Sequence, residues 1–388
     1  PTGSPVASST AMWAYAAGRS PNSASRSCSS VARASCGSFS YSASSRTRVW
    51  MSGMSSGVAV RIMRAASHRP RHAVNRVSAV LLLLAAALTG CAEKPGQGPP
   101  ADPAWWAPAP GEITDWDWQI TEPYDLSAPR QMYDIDLFDL APEGAQLKYA
   151  DGEVIDVPAG PLAGKIDELH ARRPRPVVIC YVDTGAYEHY RPDASRFPGH
   201  EKRKDAVPNR PHAPAEGSVI GWDTGWAGER WLDIREGSRD AFAEAVWARF
   251  DLAERMGCDG VEPDQNNPRG NDPGFRIPLA DQLSWYREVA RQAHARGLSV
   301  GMKNGHNEPG TAARLVDSFD WALPEECVEF AECGELKAFV AAGKAVFAVD
   351  YRKSVADPAK ACRTHRRHGL DGLIKDEPPT GAYRKACR

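Results

Sequence analysis

The chain has 388 residues, 42% hydrophobic and 25% charged, with 47 Lys and Arg against 49 Asp and Glu. That near balance hides a split. Residues 1–91 carry ten Arg and no Lys, Asp or Glu, which leaves 37 basic against 49 acidic residues after Cys91, a net charge of −12. An acidic body excludes nucleic acid as the expected partner, and the lack of any apolar run near ~20 residues excludes a membrane-spanning helix.

Residues 1–62 are rich in Ser, Ala, Arg and Gly and show no apolar periodicity. They read as disordered, or as translated ahead of a start at Met63, because such a composition cannot bury a core. Arg64, Arg69, Arg71 and Arg76 then precede the apolar run Val77 to Leu88, the pattern of a signal peptide over residues 63–91. The segment ends in Leu88-Thr89-Gly90-Cys91, which resembles a bacterial lipobox. That resemblance implies lipidation of Cys91, export, and attachment to the cell envelope through an N-terminal lipid anchor. Residues 92–114, with Pro and Gly between Lys94 and Gly111, read as a flexible tether.

Of nine Cys, Cys28 and Cys36 lie in the leader and Cys91 is the lipid site. Export permits disulfides among the other six. The short spacing of Cys327 and Cys333 predicts a bridge between them, and Cys362 with Cys387 is the next candidate. With no C-x-x-C pair and no Cys/His cluster, neither a metal nor another cofactor is expected.

Residues 115–388 suit one (β/α)8 TIM barrel, an α/β fold forming a single catalytic domain. Short apolar runs predict strands at Trp116–Ile120, Tyr133–Phe138, Val177–Val182, Gly260–Pro263, Leu298–Lys303, Trp321–Leu323, Ala345–Val349 and Gly372–Lys375. Helical patterns fall between them at Gly164–Arg172, Arg239–Met256, Leu279–Arg296, Thr311–Val316, Leu336–Ala341 and Ala359–Arg367. Gly297 and Gly343 sit where helices must turn into strands, a left-handed position that favours glycine. No G-x-G-x-x-G follows the first strand, which argues against a dinucleotide-binding sheet. A monomer is expected.

Barrel enzymes place their chemistry at the C-terminal strand ends, and these ends are polar here. They carry Asp139, Tyr181 and Asp183, Glu262 and Asp264, Lys303 and Asn304, Glu325 and Glu326, and Asp350 and Tyr351. Residues two apart share a strand face, so Glu262 and Asp264 point the same way. A buried Glu262 needs a partner, and Lys303 on the neighbouring strand is the expected one. That pair is either a barrel support or part of the chemistry. Two carboxyls flanking a bond are what glycosidic cleavage needs. Glu325 and Glu326 face opposite sides of an extended chain, so only one of them can serve. Trp222 and Trp226, in a Gly-rich stretch, are candidate platforms for a sugar ring, and the remaining aromatics read as packing.

Several motifs in order are similar to those of the endo-α-1,4-polygalactosaminidases of glycoside hydrolase family 114. They are Tyr133-Asp134-Ile135-Asp136-Leu137-Phe138-Asp139, Ile179-Cys180-Tyr181-Val182, Gly225-Trp226-Ala227-Gly228-Glu229-Arg230-Trp231, Gly260-Val261-Glu262-Pro263-Asp264, Gly301-Met302-Lys303-Asn304 and Glu325-Glu326-Cys327. The resemblance implies the barrel, hydrolysis of α-1,4-linked galactosamine polymers, and Asp264 with Glu325 as the catalytic carboxylates. The chain departs from the family pattern at Gln265, Pro324 and Gly305, and Ala141–Pro161 and His200–Ser218 read as insertions. Glu325 is the expected acid, on the argument that Glu326 and Trp321 raise its pKa, and Asp264 the expected nucleophile or base beside Lys303. A glycosidase of other specificity on the same barrel, or a glycan-binding surface lipoprotein without catalysis, are the competing readings.

Overall fold

A computed structural model of the chain describes residues 104–200 and 217–387. The leader, the signal segment, Cys91 and most of His200–Ser218 lie outside the described residues. No helix of the described residues is long and apolar enough to cross a membrane.

Eight strands form the barrel: β1 Trp116–Gln119, β2 Met132–Asp136, β3 Val177–Asp183, β4 Gly260–Asp264, β5 Ser299–Lys303, β6 Trp321–Leu323, β7 Phe347–Tyr351 and β8 Asp371–Lys375. From β1 to β6 each strand pairs in parallel with the next. Bridges at Ala322 with Val346 and Glu325 with Val349 carry the wall on to β7, and β7 pairs in parallel with β8. On its far edge β8 pairs with the antiparallel strand Arg384–Ala386. That edge is tied back to β1 by Arg384 Nε on Trp116 O at 2.8 Å and by Lys375 Nζ on Asp117 Oδ1 at 2.6 Å. The fold is a (β/α)8 barrel.

The longer helices are α1 Lys165–His170, α2 Ala243–Met256, α3 Leu279–His294, α4 Thr311–Leu315, α5 Lys337–Ala341 and α6 Pro358–Arg367, and a single turn, Glu236–Arg239, precedes α2. The links from β1 to β2 and past β8 contain no helix. Gly297 (φ 70°) and Gly343 (φ 74°) take the left-handed turn into β5 and towards β7. Period-two alternation explains the walls. On β2, Tyr133 and Ile135 join the layer packed under the helices, while Asp134 and Asp136 face inward. The lower barrel is filled by a separate cluster that includes Trp116, Trp118, Trp321 and Phe347.

Residues 104–114 differ from the tether reading. Trp105 stacks on His294 with ring centroids 3.9 Å apart and donates to Asp320 Oδ1 at 2.9 Å. Trp106 packs on Phe347 and Trp321, and Ile113 is buried in the same cluster. These apolar side chains fasten the segment to the barrel floor, so the folded body begins before residue 115. The insertion at 141–161 holds a two-stranded hairpin, Gln146–Lys148 with Val154–Asp156. Another three-stranded sheet, built from Ala186–Glu188, Ile220–Asp223 and Glu229–Leu232, follows β3.

Three disulfides use every Cys of the described residues. Cys180 on β3 joins Cys258 ahead of β4, with Cα atoms 6.0 Å apart. Cys327–Cys333 closes the loop after β6 with Cα atoms 4.7 Å apart, and Cys362–Cys387 ties α6 to the C-terminal strand with Cα atoms 4.6 Å apart.

Candidate active site

Lys303, the last residue of β5, is the centre of the barrel mouth. Its Nζ stands 2.8 Å from Glu262 Oε1, 3.1 Å from Asp264 Oδ1 and 3.2 Å from Glu325 Oε2. All three contacts are ion pairs by distance without an aligned hydrogen bond. The ammonium also lies 4.7 Å from the Trp118 ring centroid, a cation–π distance. Burial acts to lower the Lys303 pKa, but Asp264, Glu262 and Glu325 outweigh it and hold the ammonium well above its ordinary range.

Glu262 and Asp264 both face inward from β4, Glu262 fully buried and Asp264 nearer the opening. Glu262 Oε2 accepts from Trp118 Nε1 at 2.8 Å. Burial pushes the Glu262 carboxyl up to about 7 against the pull of Lys303. Beside it, Asp134 of β2 is held well above the carboxylate range, first by burial and then by the Glu262 charge. A buried carboxyl against a buried carboxylate shares a proton more readily than both ionise. The sequence motif contained Asp134, yet only its inward direction reveals the role, and period two back from Asp136 is the signal that would have found it.

Asp264 is fixed on both oxygens, by the Gln265 amide on Oδ1 at 2.7 Å and the Tyr181 hydroxyl on Oδ2 at 3.1 Å. Opposite it, Glu325 Oε2 accepts from Asn304 Nδ2 at 2.7 Å, and Oε1 accepts from the Tyr351 hydroxyl. Burial acts to raise the Glu325 pKa, but Lys303, Tyr351 and Asn304 prevail and hold it below the usual range. This overturns the sequence argument for Glu325 as an acid primed by its neighbours. Trp321 lies lower in the barrel, donating from Nε1 to Ser299 Oγ at 3.0 Å. Glu326 turns away to accept from Ser354 Oγ at 3.2 Å. Burial, then the charges of Glu329 and Glu325, push Glu326 itself up to about 7.

Backbone strain falls beside these residues. Gln265 (φ 61°), Asn304 (φ 49°) and Glu326 (φ 55°) are left-handed, and each directly follows Asp264, Lys303 or Glu325. Such a conformation costs an ordinary L-residue roughly 1–2 kcal/mol, and surrounding structure must over-determine it. Here it turns the chain sharply once the functional side chain has been placed.

The other expected site residues divide. Tyr181, Asn304 and Tyr351 join the cluster. Asp350 does not: its Oδ2 bonds His365 Nε2 at 2.7 Å and its Oδ1 accepts the Val328 amide at 3.2 Å, all inside the wall. Strand alternation sends Tyr351 inward and Asp350 outward, so Asp350 leaves the substrate-binding set. Asp139 lies beyond β2, which ends at Asp136 rather than Phe138. It accepts from the Tyr124 hydroxyl, and burial followed by the Asp136 charge pushes it up to about 6. Asp183 is buried at the end of β3 against Glu188 and Glu229. Trp226 is 37% exposed, and Trp222 is half-buried with the Cδ1–Nε1 edge of its ring against Gly274.

The sequence model described as "Glycoside-hydrolase family GH114" matches residues 96–388. Among solved structures, Ega3 of Aspergillus fumigatus in complex with galactosamine is 28% identical, with a TM-score of 0.54, covering 73% of this chain and 97% of that one. The glycoside hydrolase domain of PelA from Pseudomonas aeruginosa is 14% identical, with a TM-score of 0.44, covering 71% of this chain and 98% of the domain. None of the curated proteins matches the chain.

Proposed function

Since this chain belongs to glycoside-hydrolase family GH114, and is therefore a glycoside hydrolase, we propose that it cleaves a galactosamine-containing polysaccharide with Asp264 and Glu325 as its carboxylate pair. The observation that carries the pair is their shared ammonium. Asp264 Oδ1 and Glu325 Oε2 lie 3.1 and 3.2 Å from Lys303 Nζ, so those oxygens are separated by no more than the sum of the two distances. That limit concerns one oxygen of each carboxyl, and it admits the roughly 5–5.5 Å between the carboxyl groups of retaining enzymes. We therefore read the pair as retaining, with one carboxyl protonating the leaving oxygen while the other attacks the anomeric carbon. In the resting site Glu325 is held ionised, which suits the charged role. It can give a proton only after substrate has weakened its Lys303 or Tyr351 contact.

The substrate reading is supported by a relative that holds galactosamine in its solved complex. The net charge of −12 after Cys91 also suits a polymer of free amines. The test is incubation of the protein with a panel of amino-sugar polymers. Released oligomers from the galactosamine polymer are expected. Release only from a different glycan, or tight binding without release, overturns the substrate or the catalytic reading respectively.

Export belongs to the same reading. Three disulfides suit an oxidising compartment, and the lipobox-like segment proposes the anchor. Cys91→Ser should release the protein from membranes; a variant that stays membrane-bound contradicts the anchor.

A further inference from the structure

A second group of carboxylates lies beside Asp264, outside the Lys303 cluster. Asp183 ends β3 in register with Asp264 on β4. Glu188 and Glu229 face each other across paired strands of the inserted sheet. One carboxylate oxygen from each of the three lies within 4.8 Å of the others.

Charge matching shows which of them are surplus. Arg249 pairs with Asp193 at 2.8 Å and Glu188 at 2.9 Å, and Arg191 pairs with Glu188 at 2.7 Å and Asp136 at 2.5 Å. The two guanidiniums thus serve Asp136, Glu188 and Asp193, and neither forms an ion pair with Asp183 or Glu229. Asp183 Oδ1 accepts the Ala186 amide at 2.8 Å and the Gly185 amide at 3.3 Å. Its Oδ2 is buried with no hydrogen-bond partner, in a residue only 1% exposed. A buried, unpaired carboxylate oxygen among other carboxylates is costly, and it is what a cation would relieve. Burial, then the charges of Glu188 and Asp264, push Glu229 up to about 8, and burial, then the charges of Glu188 and Glu229, hold Asp183 well above the carboxylate range; an arriving cation would hold both ionised.

We propose that Asp183, Glu188 and Glu229 form a seat for one ammonium group of the amino-sugar chain, in the subsite adjoining Asp264. This rests on the galactosamine reading above and deepens it by naming the groups that tell a free amine from an acetylated one. The size fits. Three points no more than 4.8 Å apart always share a point about 2.8 Å or less from each, and charge-assisted N–H···O bonds measure about 2.7–2.9 Å. Access is from the Glu229 side. Glu229 is half-buried, and Tyr190, which is 51% exposed, bonds Glu229 Oε1 at 3.1 Å and Glu188 Oε1 at 3.2 Å. An N-acetyl group in the same place carries no charge to hold these carboxyls ionised and sets a methyl against them, so the free amine is preferred.

The test is titration calorimetry of the protein with a galactosamine tetramer and with its N-acetylated counterpart, for wild type, Glu229→Gln and Asp183→Asn. Glu229→Gln is the primary variant because its side chain is half-buried and its loss tolerable to the fold; thermal melting checks both. Wild type should prefer the free-amine tetramer, and each folded variant should lose that preference by about tenfold or more, the scale of one charged hydrogen bond. A Glu229→Gln protein with the wild-type preference overturns the seat. So does stoichiometric Ca2+ binding that Glu229→Gln abolishes while the sugar preference stays unchanged, since the carboxylates then hold a metal. Polymer hydrolysis by wild type is measured alongside. Amine-selective binding without cleavage would overturn the proposed hydrolysis of this polymer and leave the seat standing.

Discussion

Asn304 grips Glu325 at two points: its Nδ2 donates to Glu325 Oε2 at 2.7 Å, and its Oδ1 accepts the Glu325 amide at 2.9 Å. The link joins the ends of the neighbouring strands β5 and β6, and it is made by a residue in the left-handed conformation, φ 49°. Asn304 therefore fixes the position of Glu325 and, after Lys303 and Tyr351, helps to hold its pKa down.

Asn304→Ala removes both bonds. The Glu325 pKa should rise, since one of the contacts opposing burial is gone. Turnover should fall by roughly 10²-fold, the cost of a misplaced catalytic group. The pH–rate profile checks it: a limb governed by Glu325 should move to higher pH in the variant. An unmoved profile with near wild-type turnover contradicts the positioning role.

His306 gives the protein a pH-dependent stability. It is 3% exposed, its ring nitrogens have no hydrogen-bond partner, and burial lowers its pKa to about 4 against the attraction of Glu325. The unfolded chain binds a proton near pH 6.5, the folded one only near 4, so stability is full above about 6.5 and falls as pH drops towards 4. The shift corresponds to about 3 kcal/mol at 1.36 kcal/mol per unit. Carboxyls with raised values, such as Glu262 and Glu229, trend the other way, so the readout is a difference. Denaturant unfolding of wild type and His306→Gln at pH 7.5 and 4.5 should show a steeper loss in wild type. Equal losses contradict it.

Gln265 holds φ 61° directly after Asp264. Asn enters this region more readily than Gln because its short side chain hydrogen-bonds locally. Gln265→Asn should therefore stabilise the fold by up to about 1 kcal/mol, a rise of roughly 2 °C in melting temperature. A drop would show that the Gln265 side chain makes a contact worth more than the strain.

The barrel was legible because its strands are short apolar runs with polar C-terminal ends, and all eight fall within a few residues of their expected places. The pairing of Lys303 with Glu262 followed from adjacency and from the cost of a buried carboxylate. Directions were harder. Asp350 and Tyr351 are adjacent in a strand, and alternation sends only Tyr351 inward while Asp350 turns out to His365. The second strand ends at Asp136 and not at Phe138, so its inward carboxyls are Asp134 and Asp136 and not Asp139. The three left-handed turns carry Gln, Asn and Glu, so no glycine marks them. The meeting of Asp183 with Glu188 and Glu229 depends on an antiparallel sheet folded over the mouth, a long-range contact that no local pattern encodes. Trp105 and Trp106 sat in a stretch whose Pro and Gly content masked two strong anchors.

The central claim is that Asp264 and Glu325 carry the hydrolysis. The direct measurement is turnover of the galactosamine polymer by wild type, Asp264→Asn and Glu325→Gln, with folding verified by melting and with product configuration followed by NMR. The account predicts cleavage by wild type with retained anomeric configuration, and losses of about 10²–10⁴-fold or more in each folded variant. Two folded variants that both turn over near the wild-type rate would contradict it.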